Sequence, residues 1–142
     1  VKPKPHFTEA ILTAIHKDRI LGIRAGSGSS HRVIGIWAVV VDGRVFIRSY
    51  TMKAGGWWKT FLADPHGEIF VAKRKRGIKI RAVQVKSEKM KDLVSAAYKE
   101  KYNTPGSIRY VEEMSRSPLL DTTTELVAMW RRARADISAK KR

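Results

Sequence analysis

The clearest hydrophobic and polar pattern in the chain lies between Gly35 and Tyr50, where the runs GIWAVVV and RVFIRSY flank Asp42-Gly43. An Asp-Gly pair between two β-rich runs predicts a two-residue hairpin turn, because both central positions want positive φ. That turn sets a register. Val41 faces Arg44, Val40 faces Val45, Val39 faces Phe46, Ala38 faces Ile47, Trp37 faces Arg48 and Ile36 faces Ser49. Side chains alternate across a strand, so one face carries Ile36, Ala38, Val40, Val45, Ile47 and Ser49. It is small and almost wholly apolar, and suits a tight barrel interior. The other face, with Trp37, Val39, Val41, Arg44, Phe46, Arg48 and Tyr50, is bulky and mixed. Its apolar part is too large to leave wet, so it calls for a helix, a ligand or a second subunit.

The rest of the chain reads as short elements around this hairpin. Thr8 is a candidate N-cap for a helix bearing Ile11, Leu12 and Ile15, with Phe7 and Leu12 placed as a hydrophobic staple and His16, Lys17 and Arg19 at its basic end. A strand from Ile20 to Ile23 leads to the loop AGSGSSH. After Gly55-Gly56, WWKTFLAD predicts a short helix ended by Pro65, and Asp64-Pro65-His66-Gly67 fits a type I turn. EIFVAK and IKIRAVQV are strands joined by the basic turn RKRG. A change of apolar parity between Ala82 and Val83 predicts a bulge or a strong bend, as closed barrels use. Ser87 caps a second helix with Met90, Leu93, Val94, Ala97 and Tyr98, a short helix covers Ile108 to Met114, and TTTELVAMW is a last strand. The sum is a mainly β chain with inserted helices, a six-stranded antiparallel barrel in a single domain over residues 1–142. Residues 1–6 and 135–142 are expected to be flexible.

Composition narrows the function classes. The 142 residues contain no cysteine, which excludes a disulfide framework, thiolate metal sites and a cysteine nucleophile, and fits a reducing, cytoplasmic setting. No apolar run approaches the roughly 18 residues of a membrane span, and the opening VKPKPHFTEA has no apolar stretch of a secretory signal. There are 29 Lys and Arg against 13 Asp and Glu, a net charge of +16. Such an excess attracts nucleic acid, acidic membrane surfaces or phosphorylated small molecules. From Lys73 to Lys91 the only acid is Glu88, and after Trp130 the only acid is Asp136. These stretches read as solvated faces, with nucleic-acid binding as the alternative. No helix-turn-helix, zinc or RNA-recognition signature accompanies them, and no aromatics are interleaved.

The segment RSYTMKAGGWWKTF, residues 48–61, holds the main candidate chemistry. A strand ends in Arg48, Ser49, Tyr50 and Thr51, then Lys53 and two glycines lead into a helix. Cations, hydroxyls and backbone N–H groups in that arrangement suit a phosphate or carboxylate, and Trp57 and Trp58 suit a planar ring. The plainer alternative is a glycine-hinged loop whose tryptophans fill the core. The segment is not a P-loop. His6, His16, His31 and His66 form no helical metal pair, so no metal site is expected. Asp42, Asp64 and Asp121 read as turn residues, and neither a Ser–His–Asp order nor a carboxylate pair can be drawn.

The order of elements from Arg32 to Val85, with TTTELVAM beyond, resembles the flavin-binding split barrel. The features that carry it are the Asp-Gly hairpin, the strand ending in a basic–hydroxyl run, the Gly-Trp helix closing in Ala-Asp-Pro, and the two strands around a basic turn. The chain is similar in particular to the deazaflavin-dependent nitroreductase-like branch and an uncharacterised family beside it. The resemblance implies a homodimer with FMN or a deazaflavin at the dimer face, though some branches bind haem or hold no cofactor. It implies phosphate contacts from Arg48, Tyr50, Thr51 and Lys53, followed by Trp57, Trp58 and Lys59. Trp37 would lie on the ligand and dimer face, and Lys73 and Arg74 would reach the same anion. The implied activity is that of an oxidoreductase whose cofactor carries the redox chemistry. The alternative is a non-catalytic module for an anionic ligand.

Overall fold

The computed structural model describes residues 6–27, 32–71 and 76–129. Of the ends expected to be flexible, only His6 falls among them, and His31, Lys73, Arg74 and the basic tail lie outside. The elements are α1 (Glu9–Lys17), β1 (Leu21–Ala25), β2 (Ile34–Ile36), β3 (Ala38–Val41), β4 (Arg44–Ile47), α2 (Trp57–Ala63), β5 (His66–Phe70), β6 (Ile78–Gln84), α3 (Glu88–Lys101), α4 (Ile108–Met114) and β7 (Thr124–Ala128), with a 3-10 turn over Leu119–Thr122. The expected caps form. Ile11 N–H donates to Thr8 Oγ1 at 3.2 Å, and Met90 N–H donates to Ser87 Oγ at 3.1 Å.

All seven strands join one antiparallel sheet in the order β2-β1-β5-β6-β7-β4-β3. The two end strands, β2 and β3, are separated along the chain by Trp37 alone. The chain thus passes from one end of the sheet to the other across a single residue, which rolls the sheet into a nearly closed barrel. This is why there are seven strands where six were expected: the run from Gly35 to Val41 is two strands, not one. The Asp-Gly turn forms with φ of 52° at Asp42 and 72° at Gly43. The hairpin register holds from Ala38↔Ile47 to Val41↔Arg44. It ends there, because Ile36 pairs with Leu21 rather than facing Ser49.

The small hairpin face packs inward. Ile36, Ala38, Val45 and Ile47 meet Ile23, Ile69, Ile80 and Leu126 inside the barrel, with Ile11 and Ile15 of α1 and Trp57 and Phe61 of α2 closing its ends. Gly67 lets β5 approach this plug: a Cβ there would lie 2.5 Å from the Arg24 carbonyl and 2.9 Å from the Phe61 ring. The bulky face is covered by helices. Val39 and Phe46 bury against Val94 and Tyr98 of α3, Tyr102 at its C-cap, and Val111 and Met114 of α4.

Two local expectations are corrected. His66 and Gly67 already belong to β5, so Asp64 does not start a type I turn. Its carboxylate instead accepts from Ser27 N–H at 2.7 Å and His66 N–H at 3.2 Å, tying the end of β1 to β5. The bulge after Ala82 is absent, since β6 pairs with β7 without interruption from Ile80↔Ala128 to Gln84↔Thr124. Val83 keeps the alternation and simply faces outward, 42% exposed.

Candidate functional site

The break at Trp37 leaves backbone groups that no neighbouring strand satisfies, and α3 supplies their partners. Tyr98 Oη donates to the Trp37 carbonyl at 2.8 Å and accepts Arg48 N–H at 3.0 Å. One helical turn later, Tyr102 Oη accepts Ala38 N–H at 3.1 Å and donates to the Arg19 carbonyl at 2.8 Å. Lys101 Nζ donates to the Ala38 and Ile15 carbonyls, each at 2.7 Å. The Trp37 ring stacks on Tyr102, centroids 4.3 Å apart and planes 8° from parallel, and the Arg19 guanidinium lies over both rings.

Beside this seam opens a cavity of about 380 Å³, within the usual range of small-molecule sites. Four aromatic residues line it: Trp37, Tyr50, Trp57 and Tyr110. Ile34, Ile36 and Met114 supply further apolar wall, and Ser49 and Thr51 supply hydroxyls. Tyr110 meets Tyr50 and Trp37 edge-on at 5.1 and 6.4 Å. At the mouth, Tyr50 Oη donates to Glu113 Oε1, and Arg109 Nη2 donates to Tyr110 Oη at 3.1 Å. The bond to Glu113 holds the Tyr50 proton, pushing its pKa above the ordinary tyrosine value.

The residues singled out in the sequence divide into groups. Trp37, Tyr50, Thr51 and Trp57 come together around the cavity. Arg48 borders it but is committed to the protein. It is 3% exposed, with Nε donating to Thr123 Oγ1 at 2.8 Å, Nη1 to Ser95 Oγ at 2.8 Å and to the Met114 carbonyl at 3.1 Å, and Nη2 to the Lys91 carbonyl at 2.8 Å. Burial lowers its pKa from the ordinary value, but an arginine stays charged. At the position where the resemblance implies a phosphate contact, the guanidinium ties β4 to α3 and α4. Ser49 is also engaged, its hydroxyl donating to the Thr51 carbonyl at 2.5 Å.

Lys53 is exposed on the loop and does not line the cavity. Trp58 turns the other way, Nε1 donating to Gln84 Oε1 at 2.8 Å, and Lys59 Nζ sits 5.3 Å over its ring. The basic strip is not one surface. Lys79 and Arg81 stand on the outer face of β6, whereas Lys91 is buried and paired with Glu88 at 3.4 Å and Asp121 at 3.2 Å. Among the described residues, no helix is long and apolar enough to cross a membrane.

With this geometry in place, the chain can be set beside known proteins. Residues 12–126 match the family described as "Uncharacterized protein conserved in bacteria (DUF2255)". The chain belongs to that family. This DUF2255 member is similar in structure to a conserved hypothetical protein, Rv2991, from Mycobacterium tuberculosis. The TM-score is 0.57 at 16% identity, covering 90% of this chain and 83% of that one. It is also similar to a FAD-binding protein (mll6688) from Mesorhizobium loti, with a TM-score of 0.54 at 10% identity, covering 87% of this chain and 91% of the other. At these identities the likeness is one of fold, and it agrees with the barrel architecture expected from the sequence. No curated protein matches the sequence.

In this DUF2255 member the sequence reading missed Tyr110, Met114, Arg109 and Glu113. Tyr110 and Met114 are one helical turn apart on α4, a spacing that puts both on one face. That face answers the demand for cover made by the bulky side of the hairpin.

The seam also has a pH signature. Burial drives the Tyr98 hydroxyl well above the ordinary tyrosine value and Tyr102 up to about 12, and it pulls Lys101 down to about 8. Between pH 8 and the ordinary lysine value of about 10.4, the unfolded chain holds the lysine proton more tightly, so this lysine's contribution to stability rises with pH. Above about pH 10 the unfolded tyrosines ionise while the folded ones keep their protons, so stability falls. In urea titrations, the stability of the wild type relative to Lys101→Met should therefore increase from about pH 8 to 10. At higher pH, the tyrosinate absorbance of Tyr98, read as the difference between the wild type and Tyr98→Phe, should appear together with unfolding. A flat stability difference, or Tyr98 ionising before unfolding, would contradict this electrostatic picture.

Proposed function

We propose that the seam cavity receives the planar ring of a flavin or deazaflavin, and that the protein is an oxidoreductase of the flavin-binding split-barrel kind. The observation that carries this reading is the cavity's wall, in which Trp37, Tyr50, Trp57 and Tyr110 surround a space of about 380 Å³. Aromatic and apolar walls with few polar groups suit a flat, conjugated ligand. The fold shared with the FAD-binding protein from Mesorhizobium loti supports the same reading.

The residues present fit the ring end of such a cofactor. With Arg48 and Ser49 engaged internally, the phosphate end is left to Thr51 and Lys53 on the loop and to Arg109 beside Tyr110. The bound cofactor would supply hydride or electron transfer. The chain itself would exclude water from the ring and hold a proton at Tyr50 Oη against the Glu113 carboxylate. On this reading the mouth is also the homodimer contact. Ile34 and Tyr50, which line it, are exposed. Sedimentation should then give a dimer, and a monomer at all concentrations would remove this part of the proposal.

Titration with FMN, FAD and a deazaflavin, followed by cofactor fluorescence, tests the central part. Saturable quenching is expected for at least one of them. Tyr50→Ala, at an exposed position, should weaken it about tenfold through loss of aromatic contact. A protein that ignores all three at millimolar concentration is a binding module of another kind.

A further inference from the structure

On the other side of the seam lies a second cavity, of about 350 Å³, lined by the C-terminal end of α1, by β3 and by α3. Its cationic lining comes from Lys17, Arg19 and Lys101, with His16 beside them, against one carboxylate, Glu100, while Val39, Val40 and Ala97 form an apolar wall. None of the chemistry proposed for the seam cavity uses these groups.

Lys101 is the residue the fold leaves incomplete. Its ammonium is half-buried and donates to two backbone carbonyls, of Ile15 and Ala38. Those bonds use two of its three N–H groups, and the ammonium also lies 5.2 Å from the centre of the Tyr102 ring, a contact that brings no counter-charge. Among the described residues no carboxylate lies within ion-pair distance of it. Asp18 attracts it only from farther away, and Arg19 repels it. A partly desolvated charge without a counter-ion is costly to fold. Ile15 is in the last turn of α1, so its bond to Lys101 also covers one of the helix's end carbonyls, which would otherwise repel an anion.

We propose that this cavity binds a small organic anion. Its carboxylate or phosphate group meets Lys101, with Lys17 and His16 beside it, and its short apolar body rests on Val39, Val40 and Ala97. The single carboxylate, Glu100, favours a guest of low charge, since a polyanion would be repelled by it. The anion takes the third N–H of Lys101 and supplies the counter-charge that the chain does not.

The test uses the full-length protein without flavin, so its outcome is independent of the seam-cavity proposal. Butyrate, butyl phosphate and inorganic phosphate are titrated at constant ionic strength, with butanol and chloride as controls, while backbone amide NMR shifts are followed. The expected result is saturable shifts at Val40, Ala97 and Lys101 with butyrate or butyl phosphate, tighter than with inorganic phosphate and absent with butanol and chloride. Removing one charge-assisted hydrogen bond in Lys101→Met should weaken binding about tenfold. Because Lys101→Met also disturbs the seam, the exposed pair His16→Ala with Lys17→Ala is the second variant, expected to fold normally and to bind several-fold more weakly. Shifts that chloride reproduces, shifts confined to Tyr50 and Trp57, or unchanged affinity in both variants would overturn the proposal.

Discussion

Replacing Arg48 by Met is expected to cost the protein about 3–5 kcal/mol in urea unfolding. The methionine fills much of the same volume, so the loss comes from polar groups rather than from a hole. Thr123 Oγ1, Ser95 Oγ and the carbonyls of Met114 and Lys91 all lose the guanidinium as a donor, three of these bonds buried and the one to Ser95 half-buried. Each buried group left unpaired costs on the order of 1–3 kcal/mol, and relaxation recovers part of the sum. Arg48→Lys should rescue less than half of the loss, because a lysine offers three donors at one point where the guanidinium spreads five over a plane. A loss below 1 kcal/mol, together with abolished anion or flavin binding, would restore Arg48 as a ligand contact and contradict the structural role assigned to it.

Tyr98→Phe is the second large effect, at about 2–4 kcal/mol. The ring stays and packs as before, between Tyr102 and the hairpin. Only the hydroxyl goes, leaving the Trp37 carbonyl and the Arg48 N–H without a partner at a fully buried position. Because those two groups sit on either side of the chain's passage between sheet ends, the damage should be local first. Hydrogen exchange should quicken at the Arg48 amide well before it does in β6 and β7. Uniform quickening throughout the sheet, or a loss under 1 kcal/mol, would mean that the seam does not depend on this hydroxyl.

The hairpin shows how far the sequence could be read. Asp42-Gly43 needs only its own backbone preferences, and the register it sets is correct through the four pairs from Val41↔Arg44 to Ala38↔Ile47. The division of small inward and bulky outward residues is equally local, since alternation along a strand decides it. What stops the strand at Trp37 is not local. The run GIWAVVV is apolar throughout, and the groups that bend it are the hydroxyls of tyrosines more than 60 positions later.

The same distinction runs through the site. Trp37, Tyr50, Thr51 and Trp57 were legible because the strand end and the glycine loop are close in sequence and lead into one cavity. The internal engagement of Arg48 was not legible, because a basic residue at a strand end looks free until α3, α4 and the stretch before β7 fold over it. Trp57 and Trp58 look alike in the chain. Helical rotation, however, sends one into the barrel and the cavity wall and the other toward Gln84. The helix that carries Tyr110 and Met114 was legible, but nothing in the sequence told which of its faces would cover the hairpin.

The most direct test of the seam cavity is a crystal structure of the protein grown with saturating FMN. Electron density for the ring is expected inside the cavity, against Trp37, Tyr50 and Tyr110, with Arg48 still bonded to Thr123, Ser95, Met114 and Lys91. Density for the ring anywhere else, or an Arg48 swung out to grip the phosphate, would contradict the proposal.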